Sequence, residues 1–413
     1  MTEQEEQLVQ RCPICESDRL EYRFMAAGQR ISACAECGHI FATAGTEDEK
    51  VTAGTEGTVF LCSTCVEQKG PSPRSELDMT AEPEKMLRGI YERMKDGEEL
   101  VLDVPVIDSR NARREKLNWA PFQEKRRQFF SRKTLENLIC KCGFGEIEIR
   151  DANDDGVVIH CRKMAGREKK VLSFIIPVFN EKNTVRQLLD AVLEKDLSPL
   201  GLEKEMIVIE SNSTDGTREE VKKFAAEHPE VRVIYEEKPQ GKGHAVRAGF
   251  EAATGEFITI QDGDLEYDIN DYDKLLLPLV RYQEAFVLGS RHTGDWHMRK
   301  FGEGEKLRAF VMNLGQIFFT GLINSGCGTK MKDPFTMFKL FRRECLYGLT
   351  FDGNRFEIDW EIVIKLIRKG YVPKEIPINY VSRGVKEGKK VRMFKDPILW
   401  IKCFIRYRYL YKM

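Results

Sequence analysis

The chain has 413 residues, of which 42% are hydrophobic and 32% charged, with a formal net charge of −1. That length exceeds one ordinary core, so two or three domains are expected, and the composition excludes a disordered chain and a general polyanion binder. The first residues, Met-Thr-Glu-Gln-Glu-Glu-Gln, lack the apolar stretch of a secretory leader, and no apolar run is long enough to span a bilayer. The expectation is a cytoplasmic protein, or one held peripherally at the inner face of a membrane, with no nucleic-acid partner.

Six of the twelve cysteines form three Cys-x-x-Cys pairs near the N-terminus. Residues 1–45 hold two of these pairs, Cys12/Cys15 and Cys34/Cys37, separated by eighteen residues. Two thiolate pairs at this spacing can close a tetrahedral zinc site, and a stretch too short to bury its own core has a structural use for the metal. Four thiolates leave no open position for catalysis by that ion. Free thiols are the alternative.

Residues 46–167 read as a second region. Glu99–Pro105 is a strand ending at proline, Ser131–Cys140 a capped helix, and Val157–His160 another strand. The segments Met86-Leu-Arg-Gly-Ile-Tyr through Leu100-Val-Leu-Asp-Val-Pro105, Gln128-Phe-Phe-Ser-Arg-Lys-Thr-Leu135 and Gly143-Phe144 resemble the later half of a class I S-adenosylmethionine methyltransferase. The roughly fifty residues before Met86 lack that family's first strand and glycine-rich cofactor loop. The resemblance therefore implies a shortened, inactive remnant. Cys62 and Cys65 lie inside the shortened part, as a second metal half-site, a redox pair or two plain thiols.

From residue 168 onward strands and helices alternate, the signature of a mostly parallel sheet covered on both faces. Val171–Ile176, Met206–Ile209, Phe257–Ile260 and Phe286–Gly289 are strands, and a helix capped near Asn183 follows the first. Ligands of such sheets gather at the carboxyl ends of the strands, where four motifs stand in order. They are Pro177-Val-Phe-Asn-Glu181, Glu210-Ser-Asn-Ser-Thr-Asp-Gly-Thr217, Gly241-Lys-Gly-His-Ala-Val-Arg-Ala-Gly249 and Gln261-Asp-Gly-Asp-Leu-Glu-Tyr-Asp268. Two carboxylates on one turn, Asp262 and Asp264, can hold Mg²⁺ or Mn²⁺ against a diphosphate, and the glycine between them permits the turn and a close phosphate approach. Lys242 opens a helix, where a cation and the backbone amides can both neutralise phosphate.

In this order the motifs resemble family 2 glycosyltransferases of the GT-A, Rossmann-like fold, and among them the polyprenyl-phosphate and dolichyl-phosphate sugar transferases. The resemblance implies an inverting, metal-dependent transfer from a nucleotide-diphosphate sugar to a polyprenyl phosphate. Pro177, Phe179, Glu181, Glu210 and Asp215 would line the nucleotide, with Asp215 equally able to serve the turn alone. Glu266 would join Asp262 and Asp264 at the metal, and Arg291 would approach phosphate. Asp359 and Glu361, at the start of a later helix, would position the acceptor or deprotonate it. Arg383, Lys389 and Lys390 would bind phosphate from a closing segment. The aromatic and basic tail from Trp400 to Met413 suits either a membrane-surface helix or a helix packed on the domain. Rival readings are transfer to a glycan hydroxyl, a methyltransferase with an accessory transferase domain, and a zinc-bearing recruitment module.

Overall fold

The computed structural model describes residues 11–43, 76–124, 126–165, 170–291, 306–380 and 395–411. The chain divides into two compact units, Met1–Glu168 with Arg281–Gln283, and Lys169–Val280 with Glu284–Met413.

In the first unit the described elements are β1 (Leu20–Ala26), β2 (Gln29–Cys34), β3 (Ile40–Thr43), α1 (Pro83–Arg93), β4 (Glu99–Pro105), α2 (Arg110–Glu115), α3 (Ala120–Gln123), β5 (Gln128–Phe129), α4 (Arg132–Lys141), β6 (Phe144–Asp151) and β7 (Gly156–Lys163). They form two sheets, ordered β1-β2-β3-β5 and β4-β7-β6. β5 pairs with β3, Ile40 opposite Phe129, so strands from both sides of residue 45 share one sheet. The helix expected from Ser131 is α4. Ser131 accepts from the Thr134 amide at 3.2 Å while Thr134 Oγ1 accepts from the Ser131 amide at 2.9 Å, a reciprocal cap that satisfies two otherwise orphaned donors.

Cys12 and Cys15 sit on one tight turn, where the Glu16 amide donates to the Cys12 carbonyl, and Cys34 and Cys37 on another, where the Gly38 amide donates to the Cys34 carbonyl. All four are buried and their sulfurs lie within 4.8 Å of one another. Cys12 and Cys37 sulfurs are 3.5 Å apart, those of Cys15 and Cys34 3.6 Å. A tetrahedron with about 2.3 Å zinc–sulfur bonds has edges of roughly 3.8 Å, so the cage has the size of that ion.

The second unit runs β8 (Val171–Val178), α5 (Val185–Glu194), β9 (Glu203–Glu210), α6 (Thr217–Glu227), β10 (Arg232–Tyr235), α7 (Lys242–Ala252), β11 (Phe257–Ile260), α8 (Tyr272–Val280), β12 (Phe286–Ser290), α9 (Lys306–Cys327), β13 (Lys339–Arg342), α10 (Ile358–Arg368), β14 (Lys374–Pro377) and α11 (Lys395–Ile405). Its seven strands are ordered β10-β9-β8-β11-β13-β12-β14. All neighbours are parallel except β13, which is antiparallel to both β11 and β12. β8, β9 and β11 are apolar runs because both faces are covered: Phe174, Ile175, Ile176, Ile207, Val208, Ile209 and Ile258 have no exposed surface. Burying one such side chain contributes roughly 1.5–3 kcal/mol. The helix after β8 starts at Val185, so its cap falls one residue past Asn183. Thr184 occupies its N-cap without a side-chain cap bond, and the Thr184 hydroxyl instead donates to the Gly263 carbonyl at 2.9 Å.

Candidate active site at the carboxyl edge of the sheet

The loops leaving β8 and β9 are joined side by side. Asn180 adopts a left-handed backbone (φ 50°), which asparagine tolerates, and its side chain accepts from the Thr214 amide at 2.9 Å. The Asn180 amide donates to Ser213 Oγ at 3.0 Å and the Glu181 amide to Thr217 Oγ1 at 2.9 Å. Pro177, Phe179 and Glu181 stay half-buried on this wall. Glu210, at the end of β9, is fully buried; it accepts from the Ser213 amide at 2.7 Å and pairs with Arg218 at 3.3 Å. Asp215 accepts from the Thr217 amide and hydroxyl (3.0 and 2.5 Å) and from the Lys182 amide (3.2 Å). Burial opposes its charge, but these donors outweigh burial and hold its carboxyl below the usual range. Glu210 and Asp215 thus brace the wall through their own carboxylates.

β11 ends at Ile260 and turns through Asp262-Gly-Asp264 against that wall. A methyl group at Gly263 would meet Glu181 Cγ at 3.6 Å and the Pro177 carbonyl at 3.7 Å, ordinary contact distances. The left-handed residue of the turn is Leu265 (φ 49°), so within the protein neither crowding nor a left-handed backbone requires the glycine. Across the turn, Lys242 Nζ pairs with Asp262 Oδ1 at 2.6 Å. Burial disfavours its charge, yet Asp262, Asp359 and Asp264 together keep the Lys242 pKa above the usual lysine value. The amides of Gly243 and His244 donate to the Asn354 carbonyl (2.9 and 3.3 Å), so these two helix-start donors are already engaged. At this edge Lys242 presents its ammonium to Asp262.

Asp262 and Asp264 are hard oxygen donors, the type that Mg²⁺ and Mn²⁺ take. Glu266 does not complete a three-carboxylate cage: among the described residues only the four cysteines form a convergent group of three or more ligands. One Glu266 oxygen accepts from the Tyr380 hydroxyl at 2.6 Å. Two carboxylates with substrate phosphates filling the other positions is a common magnesium arrangement, and these residues fit it.

The third wall carries Asp359, Arg291 and two residues missed in the sequence, Asp333 and Lys339. Because β13 is antiparallel, its first residue, Lys339, lies at the carboxyl edge of its neighbours, level with Leu288 of β12. It has no exposed surface, and burial pushes its pKa down to about 8. Asp359, 9% exposed, is raised by burial despite the pull of Lys339 and Lys242, with Asp262 opposing them. Asp359 Oδ1 meets no hydrogen-bond donor among the described residues. Arg291 is clamped by fully buried Asp333 through Nε at 2.7 Å and a terminal nitrogen at 2.8 Å, and lies 5.2 Å over the Tyr380 ring. Glu361 is not brought to this group. Its carboxylate accepts from the Asp352 and Gly353 amides (3.0 and 2.7 Å) and pairs with Lys365. Arg383, Lys389, Lys390, Cys62 and Cys65 lie outside the described residues. The signal that could have found Lys339 was a lone lysine within the apolar run from Met337 to Phe341.

Residues 173–349 match the model of glycosyl transferase family 2. A dolichyl-phosphate β-glucosyltransferase of Trichomonas vaginalis is 29% identical over 248 residues, 57% of this chain and 71% of the relative. The dolichol-phosphate mannosyltransferase of Pyrococcus furiosus is 28% identical over 218 residues, 53% of this chain but 58% of the relative's length. Among solved structures, the glucosyl-3-phosphoglycerate synthase of Mycobacterium tuberculosis in complex with Mg²⁺ and uridine diphosphate shares 18% identity over 59% of this chain and 80% of its own, with a TM-score of 0.43. With residues 173–349 matching glycosyltransferase family 2 and glycosyltransferases among its relatives, the chain is a glycosyltransferase.

Proposed function

We propose that the second unit transfers a sugar, with inversion, from a nucleotide-diphosphate sugar to a polyprenyl phosphate. The observation that carries this reading is the pairing of the Asp262-Gly-Asp264 turn with Lys242 at the carboxyl edge of a family 2 sheet. The β8 and β9 loops would receive the nucleotide, and Asp262 and Asp264 would hold Mg²⁺ or Mn²⁺. That ion, when bound, supplies charge to the departing diphosphate. Lys242 adds its own charge beside it, and Lys339 and Arg291 face the remaining phosphate negative charge. The names of the two relatives support a dolichyl-type phosphate as acceptor. Such an acceptor is already anionic, so Asp359 would orient it rather than remove a proton. The unsatisfied Oδ1 and raised pKa of Asp359 favour a second reading, a hydroxyl acceptor with Asp359 as general base.

In the first unit the four-cysteine cage supports a structural zinc, and the shortened methyltransferase-like region acts as a non-catalytic companion. No described helix is long and apolar enough to cross a membrane. Ile398, Ile401 and Ile405 of α11, with Tyr409 and Leu410 beyond it, are exposed, and Lys402 stands among them; this supports peripheral contact with a lipid surface that delivers the acceptor.

Purified protein with Mg²⁺ or Mn²⁺, a panel of nucleotide sugars and a polyprenyl phosphate tests the reading through nucleoside diphosphate release. Lipid-stimulated release of one nucleotide, lost in Asp262→Asn/Asp264→Asn and with chelator, is the expected result. Metal-dependent hydrolysis without lipid stimulation moves the acceptor to a hydroxyl, and no turnover of any donor overturns the assignment.

A further inference from the structure

The loop entering α10 is held by a buried carboxylate. Glu361 has no exposed surface and turns both oxygens toward adjacent amides, Asp352 at 3.0 Å and Gly353 at 2.7 Å. Lys365, one turn later and equally buried, pairs with Glu361 at 2.5 Å and also donates to the Thr350 carbonyl. Its ammonium lies 4.2 Å from the ring centroids of both Tyr407 and Tyr411. Arg368 donates to the carbonyls of those two tyrosines, and Arg406 pairs with Asp352. The loop is therefore gripped between α10 and the last described turns of the chain.

The same loop also packs against the start of α7. The Asn354 carbonyl accepts from the Gly243 and His244 amides. Arg247 reaches back to the Phe351 carbonyl at 3.0 Å and to Asn354 Oδ1 at 2.5 Å. The approach is close enough to need glycine on either side of Lys242. A Cβ at Gly241 would stand 2.3 Å from the Asn354 carbonyl oxygen, and one at Gly243 2.3 Å from that of Gly353. Lys242, seated between these contacts, is the residue that meets Asp262.

We infer that Glu361 is a positioning residue for the donor site: by holding Asp352 and Gly353 it seats the start of α7 and so fixes Lys242 against Asp262, with Lys365, Tyr407 and Tyr411 keeping its carboxylate in place. Glu361 touches no substrate in this role. The inference rests on reading the Asp262–Lys242 pair as the diphosphate site.

Full-length protein is titrated with UDP and with GDP in the presence of Mn²⁺, and donor KM and kcat are measured alongside. Glu361→Leu with Lys365→Met removes both buried charges together, so neither is left unpaired, while the loop amides lose their acceptor. Gly243→Ala pushes the loop off α7 and leaves Glu361 untouched. Tyr407→Leu/Tyr411→Leu removes the rings over Lys365, and Tyr407→Phe/Tyr411→Phe restores them. The expected result is a nucleotide Kd and donor KM raised about tenfold or more in the first three, with kcat changed less and with the phenylalanine pair close to wild type. Should one variant fail to fold, judged by circular dichroism, the other two carry the comparison. Folded variants with wild-type Kd and KM overturn the positioning role while wild-type binding upholds the diphosphate site. A wild-type protein that binds neither nucleotide with the metal overturns that site and the positioning role with it.

Discussion

Lys339→Met should make the protein more stable and less active. The lysine has no exposed surface and its pKa falls from 10.5 to about 8, so holding it charged at pH 7 costs about 3 kcal/mol at 1.36 kcal/mol per unit. Methionine is unbranched, close in volume and free of that cost. Against the gain, the Thr336 carbonyl loses a donor, which costs roughly 1–3 kcal/mol. The net expectation is a gain of about 1–2 kcal/mol at pH 7, read from the urea midpoint and slope. The pH dependence separates this mechanism from better packing. Between about pH 8 and 10.5 the unfolded wild type still binds the proton that the folded protein has released, so wild-type stability rises across that window. The methionine variant lacks the rise, so its advantage should vanish about one unit above pH 8 and reverse by pH 10.5. Sugar transfer should fall by about a hundredfold, the scale for losing one preorganised charge opposite a developing anion. A variant less stable than wild type at pH 7, with a parallel pH profile, would refute the view that Lys339 is a strained functional cation.

Other outcomes follow from single contacts. Wild-type kcat/KM should decline as pH rises through about 8, where Lys339 loses its proton, and Lys339→Arg should move that decline beyond the measured range. The protein should carry one equivalent of zinc by elemental analysis, and Cys37→Ser should lose it together with the cooperative unfolding of the first unit. Asp333→Asn withdraws the counter-charge from Arg291, whose side chain is 8% exposed, and should lower stability by about 3 kcal/mol in urea unfolding. Gly249→Ala places a methyl group 2.3 Å from Ile175 in the core; it should cost about 1–3 kcal/mol while leaving donor KM unchanged.

The strands at 171–178, 203–210 and 257–260 were legible because a sheet covered on both faces must be apolar on both. β13 was not, since Lys339 and Arg342 make half of its four residues charged, and Asp359 and Asp333 offset the buried charge of Lys339. Reading four motifs at strand ends led to Asp262 and Lys242, because local spacing reports parallel strands that end at one edge, while Arg291 came from the family resemblance. It could not find Lys339, which reaches that edge at the beginning of an antiparallel strand. The pattern around Asp359 and Glu361 gave two acids at the start of one helix. Two positions along a helix differ by about 200° in direction, so one acid faces the cations and the other the loop. α10 is buried from Ile358 to Ile367, which left no polar face to reveal the difference. In the tail, Phe404 and Tyr407 turn inward while Ile405 and Tyr409 turn outward, so packed and exposed faces share one segment that composition read as a choice.

The charge distribution carries one more consequence for the donor. The described edge brings together Asp262, Asp264, Asp359 and Asp333 against Lys242, Lys339 and Arg291, four carboxylates against three cations. Arg291 is matched by Asp333, and Lys242 is held by Asp262. With the carboxylates ionised, an incoming diphosphate meets a surface that is already balanced or slightly negative, and in a water-poor cleft that opposes binding. A divalent cation held by Asp262 and Asp264 would reverse the sign and free Lys242 to face phosphate. Nucleotide affinity should therefore be strongly metal-dependent at the binding step itself, before any chemistry. Calorimetric titration of the nucleoside diphosphate should lose its signal when chelator replaces Mn²⁺. Equal affinity with and without the metal would mean that Lys242, Lys339 and Arg291 suffice alone, and that the two aspartates serve a different purpose.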